Sequence, residues 1–352
     1  MAYTTINKSK DHFNTVTFTG TNGSGQSITG VGFQPDWLWI KHRTDVSTHR
    51  IQDAVRGSTK IIASNDTAAE STSSNSVTSF DSDGFTHGTN SAIDSTGNVV
   101  AWNWKAANSA GSSNTDGTIT STVSANTTAG FSIVTYTSNG SASQTVGHGL
   151  GVTPNVIISK NRTDGGSTYG KWVVYHSSLA TANDKKLLLN DTAAASSTNE
   201  WGDTDPTTTK YYVHTSGDGS TNHSTDNILA YCFAEKTGYS KFGSYTGNGN
   251  ANGTFVYTGF KPAWVMGKRT DTTNNWYIFD SVRDPHNLTQ RYIRPDTTAA
   301  EINNSSKAID IYSNGFKIKN SDAEFNASGG TYIYMAFGQS LVGSNNVPCT
   351  AR

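Results

Sequence analysis

The feature that most constrains this chain is a short pattern that occurs three times: Gly32-Phe33-Gln34-Pro35-Asp36-Trp37, Gly151-Val152-Thr153-Pro154-Asn155-Val156 and Gly259-Phe260-Lys261-Pro262-Ala263-Trp264. The prolines lie a domain's length apart, which is the period of tandem domains and not of a solenoid. Each proline opens an apolar run that ends in a lysine: Trp37-Leu38-Trp39-Ile40-Lys41, Val156-Ile157-Ile158-Ser159-Lys160 and Trp264-Val265-Met266-Gly267-Lys268. Apolar side chains at both odd and even positions predict a strand covered on both faces. Proline is tolerated at its first position because no ladder hydrogen bond is needed there.

The rest of each copy repeats as well. Arg43 and Asp45, Arg162 and Asp164, and Arg269 and Asp271 follow the apolar run; Asp66, Asp191 and Asp296 each open a later Asp-Thr segment. Each copy closes with a period-two strand that puts Trp102 and Trp104, Tyr231 and Phe233, or Met335 and Phe337 on one face. With 34 Gly, 34% hydrophobic and only 15% charged residues, the composition suits short strands joined by polar turns better than helices. The expected fold is all-β: tandem antiparallel β-sandwich domains, jelly-roll or lectin-like, in three diverged copies. The boundaries read as an N-terminal arm at 1–10, a first repeat at 11–107, a linker at 108–117, a second repeat at 118–237 and a third at 238–352. The short second junction predicts that copies two and three form a rigid pair while copy one swivels, each copy packing its own core.

Composition also removes several functions. The 26 Lys plus Arg nearly balance 27 Asp plus Glu, so no basic field exists to attract nucleic acid. Two cysteines, Cys232 and Cys349, cannot build a disulfide framework or a cysteine zinc site. No run approaches the ~20 apolar residues of a membrane helix, and the polar Met1 to Lys10 stretch lacks a secretory signal. Membrane insertion is therefore not expected, and neither is a cofactor.

The candidate sites follow from residue chemistry. Pro35, Pro154 and Pro262, with the recurring Arg and Asp residues, are read as structural: Asp beside a turn satisfies backbone donors, and Arg clasps a carboxylate of its own unit. Asp81-Ser82-Asp83-Gly84 resembles a calcium loop but lacks the later ligands, so it reads as a turn. His148 in its glycine loop reads as structural, and the nine histidines show no metal-ligand spacing. Glycoside cleavage needs two opposed carboxylates. Glu70 and Glu301 occupy matching positions, but copy two has Ala195 there, and no catalytic set is assigned. Sugar-binding sandwiches stack an aromatic ring on the sugar; Trp201, in a turn-rich insertion before Tyr211 and Tyr212, is the candidate ligand aromatic, with those two tyrosines beside it.

Several longer motifs resemble a known repeat. Asn114-Thr115-Asp116-Gly117 leading to Thr127-Thr128-Ala129-Gly130-Phe131, Gly147-His148-Gly149-Leu150-Gly151, Ala230-Tyr231-Cys232-Phe233-Ala234-Glu235, Gly238-Tyr239-Ser240-Lys241-Phe242-Gly243-Ser244-Tyr245-Thr246-Gly247 and Gly329-Gly330-Thr331-Tyr332-Ile333-Tyr334-Met335-Ala336-Phe337 resemble a repeat of virion and tail-fibre-like proteins of marine and aquatic bacteriophages, cyanophages among them. The resemblance covers nearly the whole chain. It implies a non-enzymatic virion structural protein, a tail-fibre or adhesin-like component displayed on the virion surface after assembly in the host cytoplasm. Its implied partners are other virion proteins of tail or capsid and host surface carbohydrate, and it implies a homo-oligomer, trimeric by analogy. A capsid decoration or head fibre is the alternative, and a polysaccharide depolymerase a more distant one. Copy two departs from the pattern by losing the element present as Asp53-Ala54-Val55-Arg56 and Asp280-Ser281-Val282-Arg283.

Overall fold

A computed structural model describes residues 4–166, 168–215 and 220–340. Cys349 lies outside the described residues. The fold is all-β and antiparallel, with no closed barrel among the described residues.

In the first unit a six-stranded sheet runs in the order Phe13–Gly20, Gly97–Trp104, Trp37–His42, Arg50–Asp53, Gly57–Ile62, Ser71–Thr72. The third unit repeats this order with Ser240–Thr246, Thr331–Ser340, Phe260–Arg269, Trp276–Asp280, Arg291–Ile293 and Ile302–Asn303. The second uses Phe131–Thr137, Asn227–Phe233, Val156–Asn161, Trp172–His176, Lys185–Leu188 and Ser196–Ser197. It adds Ser121–Asn126 and Ser112–Asn114 outside its opening strand. A smaller sheet covers one face of each large one, making three sandwich-like units: Gln26–Ile28 with Gly84–His87 and Val77–Asp81, Gln144–Gly147 with Lys210–Val213, and Phe255–Tyr257 with Gly315–Ile318 and Ile309–Tyr312.

The proline-initiated strand is central in every unit. Trp39, Ile158 and Met266 lie opposite Trp102, Tyr231 and Met335 of the closing strands, so the three copies share one register. Pro35 and Pro154 precede their strands, whereas Pro262 sits inside its strand at a register shift before Trp264. A bulge is the place where a strand interior accepts a residue without an N–H. Gly267 takes the place of Ile40 because the Tyr277 ring lies over it, and a methyl group there would collide with the Tyr277 hydroxyl.

Alternation explains why these strands are apolar throughout. Leu38, Ile40, Val99 and Ala101 pack against the small sheet of the first unit. Trp37, Trp39, Trp102 and Trp104 point the other way, into a second and larger core. That core belongs to all three units at once. Trp104 lies 5.5 Å from Trp264 and 5.8 Å from Phe337 of the third unit, between ring centroids. Phe233 of the second lies 5.9 Å from Phe337, and Trp37 of the first lies 4.4 Å from Tyr231.

The shared core corrects the expectation of three separate cores and of a swivelling first unit: its inward indoles are buried by the other two units. The segment read as a linker is also built in, because Asp36 accepts hydrogen bonds from the amides of Ala106 and Asn108, and Ser112–Asn114 pairs with the second unit's sheet. The described part of the N-terminal segment, residues 4–10, lies against the third unit. Ile6 enters the shared core, and Ser9 Oγ donates to Gln339 at 2.9 Å. The three units therefore close into a ring.

Candidate functional site

The joints of this ring use the recurring residues. At the joint between the first and second units, Trp172 Nε1 donates to the Ala63 carbonyl at 2.8 Å. At the next, Trp276 Nε1 donates to the Leu188 carbonyl at 2.8 Å, and at the third His49 Nε2 meets the Arg294 carbonyl at 3.1 Å. The lysines that end the central strands are buried beside these joints. Lys160 Nζ donates to the Thr67 carbonyl of the first unit at 3.1 Å, and Lys268 Nζ to the Thr192 carbonyl of the second at 3.2 Å. Burial pushes both amines down to about 8.

Two joints are locked by a carboxylate between two guanidinium groups. Glu70 accepts from Arg56 of its own unit at 2.9 Å and from Arg162 of the second unit at 2.9 Å. Glu301 of the third unit accepts from Arg283 of its own unit at 2.8 Å and from Arg43 of the first at 2.8 and 2.9 Å. Burial alone would raise both carboxyls, but the paired arginines overcome it and hold them below the usual carboxylate range. Behind each clasp, Asp53 binds Arg56 and accepts from the Tyr231 hydroxyl of the second unit at 2.8 Å; Asp280 binds Arg283 and accepts from Trp102 Nε1 of the first at 2.9 Å. Arg43 and Arg162 thus clasp a neighbouring unit, not their own as their sequence context suggests. The reason is tertiary: the segments after Asp66 and Asp296 run along the next unit's central strand, with Glu70 N bonded to the Arg162 carbonyl and Glu301 N to the Arg43 carbonyl, each at 2.8 Å.

The third joint, between units two and three, has lost the whole set together. His176, Leu179 and Ala195 stand where the others have Asp, Arg and Glu. Met335, which cannot donate, replaces the Trp102 or Tyr231 donor, and His176 Nε2 meets the Tyr334 carbonyl at 3.1 Å instead. Arg269 folds back on Asp271 of its own unit at 2.7 and 3.2 Å. The backbone joint is kept, with Ala195 N bonded to the Thr270 carbonyl at 2.9 Å. Where the clasp is missing, a cleft of about 560 Å³ opens between the units. Ser178, Ser244, Thr246, Thr270 and Thr331 bring hydroxyls to its walls. Leu179, Ala195 and Ile333 supply apolar surface. Lys185 is its charged lining residue, and it is held by Ser197 Oγ at 2.7 Å.

The predicted ligand aromatics are not at this cleft. Trp201 is only 2% exposed, because its insertion folds back so that Nε1 donates to the Lys185 carbonyl at 3.1 Å and the ring packs on Tyr175. Tyr211, in the small sheet of the second unit, is fully buried; Tyr212, half-buried, pairs its backbone with Thr145. The large exposed aromatics among the described residues are instead Phe255 and Tyr257, at 44% and 58%.

Other motif residues make hydrogen bonds within their own unit. Asp191 accepts from the Ala193 amide at 2.9 Å, Asp66 likewise from the Ala68 amide, and Asp296 is held by Asn275 at 2.8 Å. Burial raises Asp296 to about 6. Asp45 is half-exposed and accepts from Ser95 Oγ at 3.3 Å. Ser82 and Asp83 form a turn between two strands, as expected, and Asp83 also accepts from the amides of Gly30 and Gly32; His148 bonds the Thr207 carbonyl and the Leu150 amide. Asp164, His223 and Asp226 offer ligand atoms within 4.8 Å of one another and could hold a metal ion. His223 and Asp226 already bond each other at 2.7 Å, and Asn161 donates to Asp226 at 2.8 Å.

Fold and joints together define a class: an all-β ring of three tandem antiparallel sandwich units, held by ion clasps between units. The chain belongs to the family described as a domain of unknown function, DUF7483, whose model matches residues 8–340. No curated protein matches it.

Proposed function

We propose that the protein is a displayed structural component of a bacteriophage particle, a tail-fibre or adhesin-like block that contacts host-surface glycans. The observation that carries this reading is the use of buried charge. Glu70 and Glu301, the carboxylates best placed by repetition to act as a pair, are each fixed between two arginines. Chemistry committed to joints suits a block that transmits load and presents a surface better than one that turns over a substrate. The near-zero net charge and the Ser-, Thr- and Asn-rich loops fit a surface that meets neutral polymers. The family resemblance of the repeat motifs supports the virion setting. Several copies on a particle would add weak contacts through high effective concentration; the internal threefold repeat is compatible with one copy per position or with a homotrimer.

Antibody-gold electron microscopy on intact particles tests the reading. Label on the tail is the expected result. Label confined to the head moves the protein to the capsid-decoration alternative, and purified particles without it overturn the virion role. Shortening of host polysaccharide by the purified protein would replace the adhesin with a depolymerase.

A further inference from the structure

We infer that the cleft between the second and third units is a binding site for a neutral sugar residue. The inference rests on the proposed glycan contact for its setting and names the place and the ligand chemistry. The ring provides its own comparison, since the same joint is made three times from equivalent positions. Twice it is closed by Arg, Glu and a second Arg; once the Arg and the Glu are replaced together by Leu179 and Ala195. Loss of the glutamate alone would have left a buried arginine uncompensated, at high cost. Loss of both leaves a recess without the clasp's charges, beside an intact backbone contact between the units.

The lining fixes the class of ligand. A pyranose ring has one apolar face and a rim of hydroxyls that both donate and accept. The recess has an apolar side at Leu179, Ala195 and Ile333, faced by the hydroxyls of Ser178, Ser244 and Thr331, which can do the same. An anionic sugar is disfavoured because the cations near the space are already engaged among the described residues: Arg269 is bound bidentately by Asp271, and Lys185 is bonded to Ser197 with Asp184 3.9 Å away. The volume, about 560 Å³, falls in the range of small-ligand clefts and admits one or two sugar rings.

The test uses the full chain on an array of neutral oligosaccharides built from glucose, galactose and mannose, printed beside sialylated and uronate-bearing ones, followed by calorimetric titration of the best neutral glycan. The double change Leu179→Arg with Ala195→Glu rebuilds the clasp inside the cleft; Ala195→Phe fills it without charge. Retention of a neutral glycan by the wild type, with affinity lowered about tenfold or more in either folded variant, is the expected result. Binding unchanged in both variants, a preference for the acidic glycans, or no glycan retained at all would overturn the site. Particle labelling is read independently, so a protein found on the tail that binds no sugar refutes this inference and leaves the structural role standing.

Discussion

Between Arg56 of its own unit and Arg162 of the next, Glu70 is a fastener, and its removal has a predictable cost. Glu70→Ala leaves the fully buried Arg56 guanidinium with Asp53 alone, and destabilisation of about 3–5 kcal/mol is expected. In a double-mutant cycle by urea unfolding, Glu70→Ala combined with Arg162→Ala should cost less than the two single changes added together. Strict additivity would mean that the pair is not coupled. A second residue-scale prediction concerns acid. Burial lowers the imidazoles of His49 and His176, to about 3 and about 4. Both values lie below the ordinary 6.5, so between that pH and 4 the unfolded chain takes up protons that the folded ring refuses. Stability should therefore fall as pH drops through this window, by on the order of 3 kcal/mol per histidine at pH 4. Melting temperatures of the wild type and of a His49→Gln, His176→Gln variant, followed from pH 6.5 to 4, should show a shallower slope in the variant; equal slopes would refute the assignment. The recurrence of Arg43, Arg162 and Glu70 was legible along the chain, but their pairing was not, because the partners of one clasp come from different repeats.

At the scale of elements, the apolar runs after each proline announced strands with two covered faces, and the period-two aromatics announced the closing strands. The sequence could not say what covers the second face. A run such as Trp37-Leu38-Trp39-Ile40 reads identically whether its odd face meets a sheet of its own unit or a neighbouring unit. In the ring, Leu38 and Ile40 meet their own small sheet, while Trp37 and Trp39 meet other units. The same blindness misplaced Trp201. A turn-rich insertion looks exposed when read locally, yet it folds across the Lys185–Leu188 strand and buries its indole. The cleft was half legible: the loss of the Asp-Ser-Val-Arg element and the presence of Ala195 both show in the second copy. Only the hairpin that brings Leu179 beside Ala195, against the third unit, turns two separate losses into one recess.

For the whole molecule, the shared aromatic core makes the three units one cooperative body. A protease acting under native conditions should find the exposed residues 107–110. The nicked chain should nevertheless elute as a single species in size-exclusion chromatography and separate only on denaturing electrophoresis; native release of residues 1–107 would contradict the shared core. Trp104 is the most telling single core position, since its ring meets Trp37 of its own unit and Trp264 and Phe337 of the third. By itself the sequence determined the strand-rich composition, the threefold repeat, the buried central strand and the low net charge, because these are set by local periodicity and by residue counts. The closure into a ring, the exchange of arginines between units and the meeting of the second copy's two losses in one cleft were decided by tertiary structure alone. Burial of an aromatic face and pairing of a buried charge are satisfied by any partner of the right shape and sign, and the chain's order does not say which repeat supplies it.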